Sequence, residues 1–302
     1  MLNKFITTED GSITCLEPEC GELYHNRAGA YTEALNNYAK PCALEKRVKK
    51  QKQIAVLDSC FGLGYNTFVF INELLEQLNT NNLGGVLETC RIVAIDRDRD
   101  IVKLLPEILA QSQFKLLCQT LDSNQMLDTL QNSAIYSFNP KADSSFSISL
   151  ELKFADLRRA VLRLVENEEQ FDCIFHDGFS PRAMPELWTI DLFQLYKKLL
   201  NSDGRIITYS SAYAIRSALK QCGLQIRKTI AVGKKSGGTI AFKNSEEIVD
   251  NENIFFLSQE ENEKLSSHSG IPYRDPDFKY SRAQIVENRE AEIRQAKLCA
   301  NK

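Results

Sequence analysis

The stretch from Gln53 to Leu78, QIAVLDSCFGLGYNTFVFINELLEQL, is the key to the architecture. It begins as a short apolar run closed by Asp58, the pattern of a buried strand. Glycines at 62 and 64 follow, and apolar residues then recur at helical spacing through Phe68, Ile71, Leu74, Leu75 and Leu78. Strand, glycine turn and helix make the opening unit of an open α/β sheet, and such a turn is where the sheet receives a nucleotide-like ligand. A plain tight turn would use the same two glycines. A dinucleotide fingerprint would need a third, in G-x-G-x-x-G. An acid ahead of the glycines repels a pyrophosphate and suits a cationic ligand carrying an amino group and a sulfonium, namely S-adenosylmethionine. Asp58, Gly62, Gly64 and Asn66 are therefore candidate cofactor-binding residues.

Further units continue the alternation. CRIVAID, SISLELKFAD, FDCIFHD and RIITYSS read as strands. Between them RDIVKLLPEIL, cut by Pro106, LRRAVLRLVEN, TIDLFQLYKKLL and AYAIRSALKQC read as helices. Thr189 is placed to cap the third of these, Asn201 to Gly204 to stop it, and Gly223 to end the fourth. LQIRKTIAVG and GTIAFK close the series as a hairpin. Residues 111–145 are weakly patterned, a helix plus loop. The expected fold is α/β: a mostly parallel sheet with right-handed crossovers and one antiparallel edge strand. Residues 1–50 form a hairpin and short helix that cover the site, 51–242 the core, and 243–302 a polar extension holding the excess of acid.

The net charge of −3 gives no global basic field, so a nucleic-acid partner would meet local patches only. Nine cysteines lie scattered without a C-x-x-C pair, and the three histidines have no metal-ligand spacing, which speaks against a metal site and for reduced thiols in a cytoplasmic setting. No apolar leader opens the chain, and the most apolar window is broken by Asp58, Gly62, Gly64 and Asn66, so no membrane span is expected.

Four strands end on acids, Asp58, Asp96, Asp156 and Asp177, which fall on one rim if the sheet is parallel, and ligands bind outside such strand ends. Asp96 is placed to accept ribose hydroxyls. Asp156 can receive an adenine amino group or cap the next helix. Asp177 ends the strand in FDCIFHDGFSPRAMPELW, where Gly178 turns the chain away and Pro181 and Pro185 stiffen the following wall. Methyl transfer from a sulfonium is an in-line displacement in which positioning does most of the work. An amine nucleophile must also lose a proton, and Asp177 can hold the amine and take that proton. Phe179 and Pro181 would face the substrate. Trp188 reads as a packed anchor rather than a base-stacking ring, and His176 as structural, since it points away from Asp177.

DGFSPRAMPELW, the run from Asn201 to Ala241, the glycine loop and the early DGSITC and GELYHNRAGAYTEAL together resemble the MnmC methyltransferase family over roughly residues 8–242. That family methylates 5-aminomethyl-uridine at the tRNA wobble position. The resemblance implies a Rossmann-like, class I S-adenosylmethionine-dependent core, with Asp177 at the position of the family's essential acid. It also matches Glu33 to a family acid lining the cofactor or amine pocket, with Tyr24 and Asn26 as lesser candidates. IPYRDP resembles the tails of stand-alone members, which lack the flavin oxidoreductase domain of the fused proteins, and the chain ends without one. Cys60 stands where the family carries a glycine. Cysteine does not adopt positive φ cheaply, so this departure bears on the loop's path and on cofactor affinity.

For tRNA phosphates the candidates are Lys46 to Lys52, Arg158 with Arg159, Arg216 with Lys220, and above all Lys234 and Lys235 in a glycine-hinged loop. A small-amine methyl- or aminopropyl-transferase shares the fold, but its run of consecutive glycines and second aspartate are not found. A non-catalytic RNA-binding module is the other reading, to be separated by S-adenosylmethionine binding.

Overall fold

The computed structural model describes residues 5–80, 86–140, 145–231, 237–244 and 254–300. Eleven strands lie among them. β1 (Ile6–Thr7) and β2 (Ile13–Thr14) form a small antiparallel hairpin. The main sheet holds β3 (Gln53–Asp58), β4 (Thr89–Asp96), β5 (Ile135–Phe138), β6 (Ser147–Phe154), β7 (Phe171–Phe175), β8 (Leu200–Thr208), β9 (Gln225–Thr229), β10 (Thr239–Phe242) and β11 (Ile254–Phe255), in the order β11-β9-β10-β8-β7-β3-β4-β6-β5. β3, β4, β6, β7 and β8 are mutually parallel along this order.

The chain runs from β3 outward to β4 and β6, then crosses back to β7 and β8 on the other side of β3. The order therefore reverses between β3 and β7, and that reversal opens a crevice at their carboxyl ends. Asp58 pairs in register with Phe175, so the loop after β3 and the loop after β7 start side by side.

Side-chain alternation supplies both faces of the sheet. Ile54 and Val56 of β3 enter one apolar cluster with Phe68, Phe70 and Leu74 of the helix Tyr65–Thr80, and Ala30, Ala34 and Tyr38 of the N-terminal segment join it. Leu57 enters the opposite cluster with Val161, Leu192, Phe193 and Ile215 from the helices Leu157–Glu166, Ile190–Leu199 and Tyr213–Gln221. Buried on both faces, β7 is apolar nearly throughout.

The expected mostly parallel sheet with its antiparallel edge is present. Three details go beyond the sequence reading. β10 inserts antiparallel between β8 and β9. Residues 111–145 contribute β5, an antiparallel edge strand, after the helices Lys115–Thr120 and Ser123–Gln131. Asn201 to Gly204 do not form a stop after the helix Ile190–Leu199, because β8 starts at once at Leu200. The polar residues there have partners: Asn201 donates to Asp172, and Asp203 pairs with Arg47. Thr189 caps its helix by accepting from the Leu192 N–H, and Gly223 takes the left-handed conformation beyond the helix Tyr213–Gln221. Pro106 lies in the first turn of the short helix Leu105–Leu109, after a separate 3-10 turn. Among the described residues no helix is long and apolar enough to cross a membrane.

Candidate active site

At the reversal point lies a cavity of about 750 Å³, within the range of small-molecule sites. Its floor is the loop after β3, with Ser59, Cys60 and Gly62. One wall is formed by Asp96 and Asp98 after β4 and by Asp156 after β6. The other wall carries Asp177, Gly178, Phe179 and Tyr209. The roof comes from the N-terminal segment, with Glu17, Glu22, Tyr24, His25, Asn26 and Glu33.

The roof is tied down on both sides. Glu22 accepts from the Ser180 backbone N–H at 2.9 Å and from the Ser180 hydroxyl. Tyr24 packs edge-on against Phe179, with ring centroids 5.1 Å apart. Across the cavity Arg97 pairs with Glu19.

The glycine loop bends as its composition requires. Gly62 and Gly64 have φ of 51° and 77°, a region closed to side chains at low cost. The Gly62 N–H, freed from helix or sheet pairing, donates to Asp96 Oδ2 at 2.8 Å and so joins two strand ends. Cys60 is not among the described residues with positive φ, so the substitution of glycine by cysteine does not strain the loop. Its thiol is pushed well above the usual range by burial and by the carboxylates of Asp58, Asp177 and Asp96.

Asp177 lies beside helix Tyr65–Thr80, where the Asn66 side-chain amide donates to its Oδ2 at 2.7 Å. Burial raises the Asp177 carboxyl above its ordinary range, and Glu33 adds to the rise. His25, Tyr38 and Asn66 act against it. Asp58 is fully buried behind the loop. It accepts from the Thr67 hydroxyl at 2.8 Å. Burial pushes its carboxyl up to about 7, against the Thr67 bond and with help from Asp177. Asp96 is likewise raised by burial, which backbone N–H groups of Asp98 and Gly62 oppose.

Of the residues singled out in the sequence, Gly62, Asp96, Asp156, Glu33, Asp177 and Phe179 line this one cavity, as do Tyr24 and Asn26. Asp58, Gly64, Asn66 and Pro181 do not. Asp58 turns toward Thr67, Asn66 reaches Asp177, and Pro181 lies on the outer turn beyond Ser180. The Asp156 side chain accepts from the backbone N–H groups of Arg158 and Arg159, so it caps the helix Leu157–Glu166 while facing the cavity. Lys234 and Lys235 fall outside the described residues.

Several basic residues marked for phosphate contact have internal partners instead. Arg47 is buried against Asp172 and Asp203. Arg216 is buried and donates to Thr239 and to the carbonyls of Gly237 and Gly238. Arg158 pairs with Asp275 and Asp156.

Trp188 is fully buried, donates its indole N–H to the Phe179 carbonyl at 2.7 Å, and packs on His176. It anchors the loop that carries Phe179. His176 is pushed down to about 3 by burial and is therefore neutral at ordinary pH, with Nδ1 between Ser59 and Tyr196. Residues that had no assigned role in the sequence also enter the site: His25, Glu22, Ser59 and Tyr209. No periodicity or spacing links them to the strand-end acids.

The cavity fits S-adenosylmethionine. Its lining is strongly acidic, which favours a cation. Asp96 and Asp177 face this cavity with carboxyls raised by burial, and positive charge nearby favours such carboxylates. Among the described residues no cluster of His, Cys, Asp or Glu could hold a metal ion.

Known proteins resemble this chain in sequence and in fold. Residues 123–244 match the profile of a family described as S-adenosyl-L-methionine-dependent methyltransferase. The chain is 28% identical over 287 residues to an uncharacterized protein of Methanocaldococcus jannaschii, covering 94% of this chain and 71% of that one. It is 27% identical over 226 residues to the tRNA 5-methylaminomethyl-2-thiouridine biosynthesis bifunctional protein MnmC of Paraburkholderia xenovorans, covering 74% of this chain and 32% of that protein. The chain thus spans about a third of the length of this bifunctional relative. Among solved structures, MNMC2 from Aquifex Aeolicus superposes with a TM-score of 0.77 at 26% identity, over 97% of this chain and 85% of that one. Together with the fold, these likenesses support an S-adenosylmethionine-dependent methyltransferase that is similar to the MnmC proteins.

Proposed function

We propose that this methyltransferase acts on the amine of 5-aminomethyl-uridine, thiolated or not at position 2, at the tRNA wobble position, and converts it to the methylamine. The observation that carries this reading is Asp177. It is a strand-end carboxylate inside an acid-lined cavity, hydrogen-bonded by Asn66 and sharing that cavity with a second carboxylate, Glu33. Such a site attracts an ammonium group and can accept a proton from it. The tRNA comes from the names of the bifunctional relatives.

When bound, S-adenosylmethionine supplies a methyl group on a sulfonium. The chain's residues bind, orient and exclude water. Asp96 and the Gly62 loop hold the ribose, and Asp156 lies toward the adenine end. Asp58 supports the loop from behind with negative charge. Asp177 holds the amine and takes its proton, while Asn66 keeps the carboxylate aimed. Glu33 belongs with the amine end, beside Asp177, rather than with the ribose. Phe179, with Tyr24 against it, forms a slot for the uracil ring, and Pro181 stiffens the turn behind. Lys234 and Lys235 are the proposed phosphate contacts, and the enzyme works in the cytoplasm on free tRNA.

Purified protein with labelled S-adenosylmethionine should label tRNA bearing the aminomethyl group and leave small amines unlabelled. Transfer to small amines alone would overturn the RNA assignment. Asp177→Asn should lower transfer by about a thousandfold, in the range expected for lost acid–base catalysis, with calorimetric affinity for the cofactor nearly unchanged. Equal loss of binding would move Asp177 to a cofactor role.

A further inference from the structure

We infer that Tyr209 is a positioning residue for the transfer: by tying the turn after β7 on both sides of Asp177, it holds that carboxylate where the amine must meet it. This rests on the amine reading above and adds a residue to it.

Residues 176–180 leave the sheet after Phe175 and form neither helix nor strand. Their backbone groups are nevertheless taken up one after another by side chains from distant parts of the chain. The His176 carbonyl accepts from the Tyr38 hydroxyl at 3.4 Å. The Gly178 carbonyl accepts from the Tyr209 hydroxyl at 3.0 Å. The Phe179 carbonyl accepts from the Trp188 indole at 2.7 Å, and the Ser180 N–H donates to Glu22 at 2.9 Å. The Asp177 side chain accepts from Asn66.

Tyr209 acts twice in this set. Its hydroxyl holds the Gly178 carbonyl directly. Its backbone N–H donates to the Tyr38 hydroxyl oxygen at 3.2 Å, so the group that holds the His176 carbonyl is itself held by Tyr209. The carbonyls before and after Asp177 therefore both depend on it. Tyr209 is well placed for this, because it follows β8 at once and β8 lies beside β7. Ile207 pairs with Phe175, and the His176 N–H donates to the Ile207 carbonyl at 2.8 Å. The Tyr209 ring lines the cavity and stands edge-on to Trp188, with centroids 5.7 Å apart. Burial, with the carboxylates of Asp177 and Glu22, raises its hydroxyl well above the ordinary range, so the group keeps its proton and remains a donor.

The turn needs such ties. Sheet pairing ends at Phe175, and the glycine at 178 gives the backbone no preferred path of its own. Fixing the peptides on either side of Asp177 fixes the direction in which its side chain leaves the chain. In an in-line displacement that direction governs the rate more than the binding. A side chain kept only to fill the wall would need the ring and not the hydroxyl.

Tyr209→Phe keeps the ring and removes the hydroxyl. Single-turnover methyl transfer at saturating RNA and cofactor should slow by about tenfold to a hundredfold, the range of a small misplacement. The RNA concentration for half-saturation and the calorimetric affinity for S-adenosylmethionine should stay within about twofold, since ground-state binding is untouched. In an Asp177→Asn background the same substitution should cost less than about twofold, because two residues that act as one unit are not additive. The same factor in both backgrounds, or a weaker RNA half-saturation at an unchanged maximal rate, overturns the inference. Tyr38→Phe should slow transfer in the same manner and carries the test if Tyr209→Phe does not fold. Trp188 is the one tryptophan of the chain and is fully buried, so its fluorescence reports on the turn without substrate. Acrylamide should quench it more readily in Tyr209→Phe than in the wild type, and equal quenching would show that the hydroxyl does not hold the turn. If the wild-type protein transfers no methyl group to the RNA amine, the functional reading fails, while the Trp188 quenching still decides whether Tyr209 holds the turn.

Discussion

Asp58 is the residue whose burial has the clearest consequence for pH. Its carboxyl sits at about 7 in the folded chain against an ordinary 3.8. Below pH 4 it is protonated in both states. Between these values the unfolded chain releases the proton and the folded chain keeps it, so stability falls as pH rises. The loss is complete above pH 7 and amounts to at most about 4 kcal/mol. Asp96 and Asp177 are raised too and push in the same direction. The melting temperature of ligand-free protein should therefore drop between pH 5 and 8, and Asp58→Asn should flatten that drop. An unchanged slope in the variant would refute this account. In the function proposed above, a cationic cofactor in the cavity would offset part of the buried charge of Asp96 and Asp177.

The loop from Ser59 to Gly64 shows which of its positions tolerate a side chain. A Cβ on Gly64 would stand 2.6 Å from the Phe68 ring and 2.8 Å from that of Phe61, at a φ of 77°. Gly64→Ala should thus cost at least the ~1–2 kcal/mol of a left-handed residue, plus the clash. It should appear as a lower melting temperature together with weaker cofactor binding. Cys60→Gly should leave cofactor affinity within about threefold, because the backbone at Cys60 is not left-handed and no strain is relieved. Calorimetry on the two variants checks both. A large gain in affinity for Cys60→Gly would mean that the thiol itself obstructs the site.

The sheet order and the roof together close the cavity. Parallel strands in reversed order bring four loops to one rim, and the N-terminal segment spans them. Glu22 clasps Ser180 through both carboxylate oxygens in a partly buried setting. The Glu19–Arg97 pair opposite is exposed, where such pairs contribute little. Glu22→Ala should speed S-adenosylmethionine dissociation by about tenfold in stopped-flow measurements, since loosened contacts act mainly on the off-rate. Glu19→Ala should change it far less. Equal effects from both would show that the roof is not held at Ser180.

Local pattern was enough for much of this. Strand ends, glycine loop, helix faces and the acids Asp96, Asp156 and Asp177 follow from periodicity and turn chemistry, because each depends on neighbours a few residues away. The resemblance read in DGFSPRAMPELW pointed to the same rim. What periodicity could not reach was the meaning of polar residues whose partners are distant. Arg47 and Arg216 look like solvated charges in sequence and are buried ion-pair members, since Asp172 and Glu261 come from other elements. β5 was hidden because an edge strand buries one face only and carries a weak pattern. Asn66, placed in a cofactor loop by its position, serves Asp177 across 111 residues. His25 and Glu22 join the site solely because the N-terminal segment folds over strands that follow it in the chain. The sequence by itself determined the elements and the acids at their ends, for these are local consequences of backbone geometry. Only the tertiary structure decided which acids face the cavity and which partners hold them, because desolvation and pairing depend on what is brought near in space.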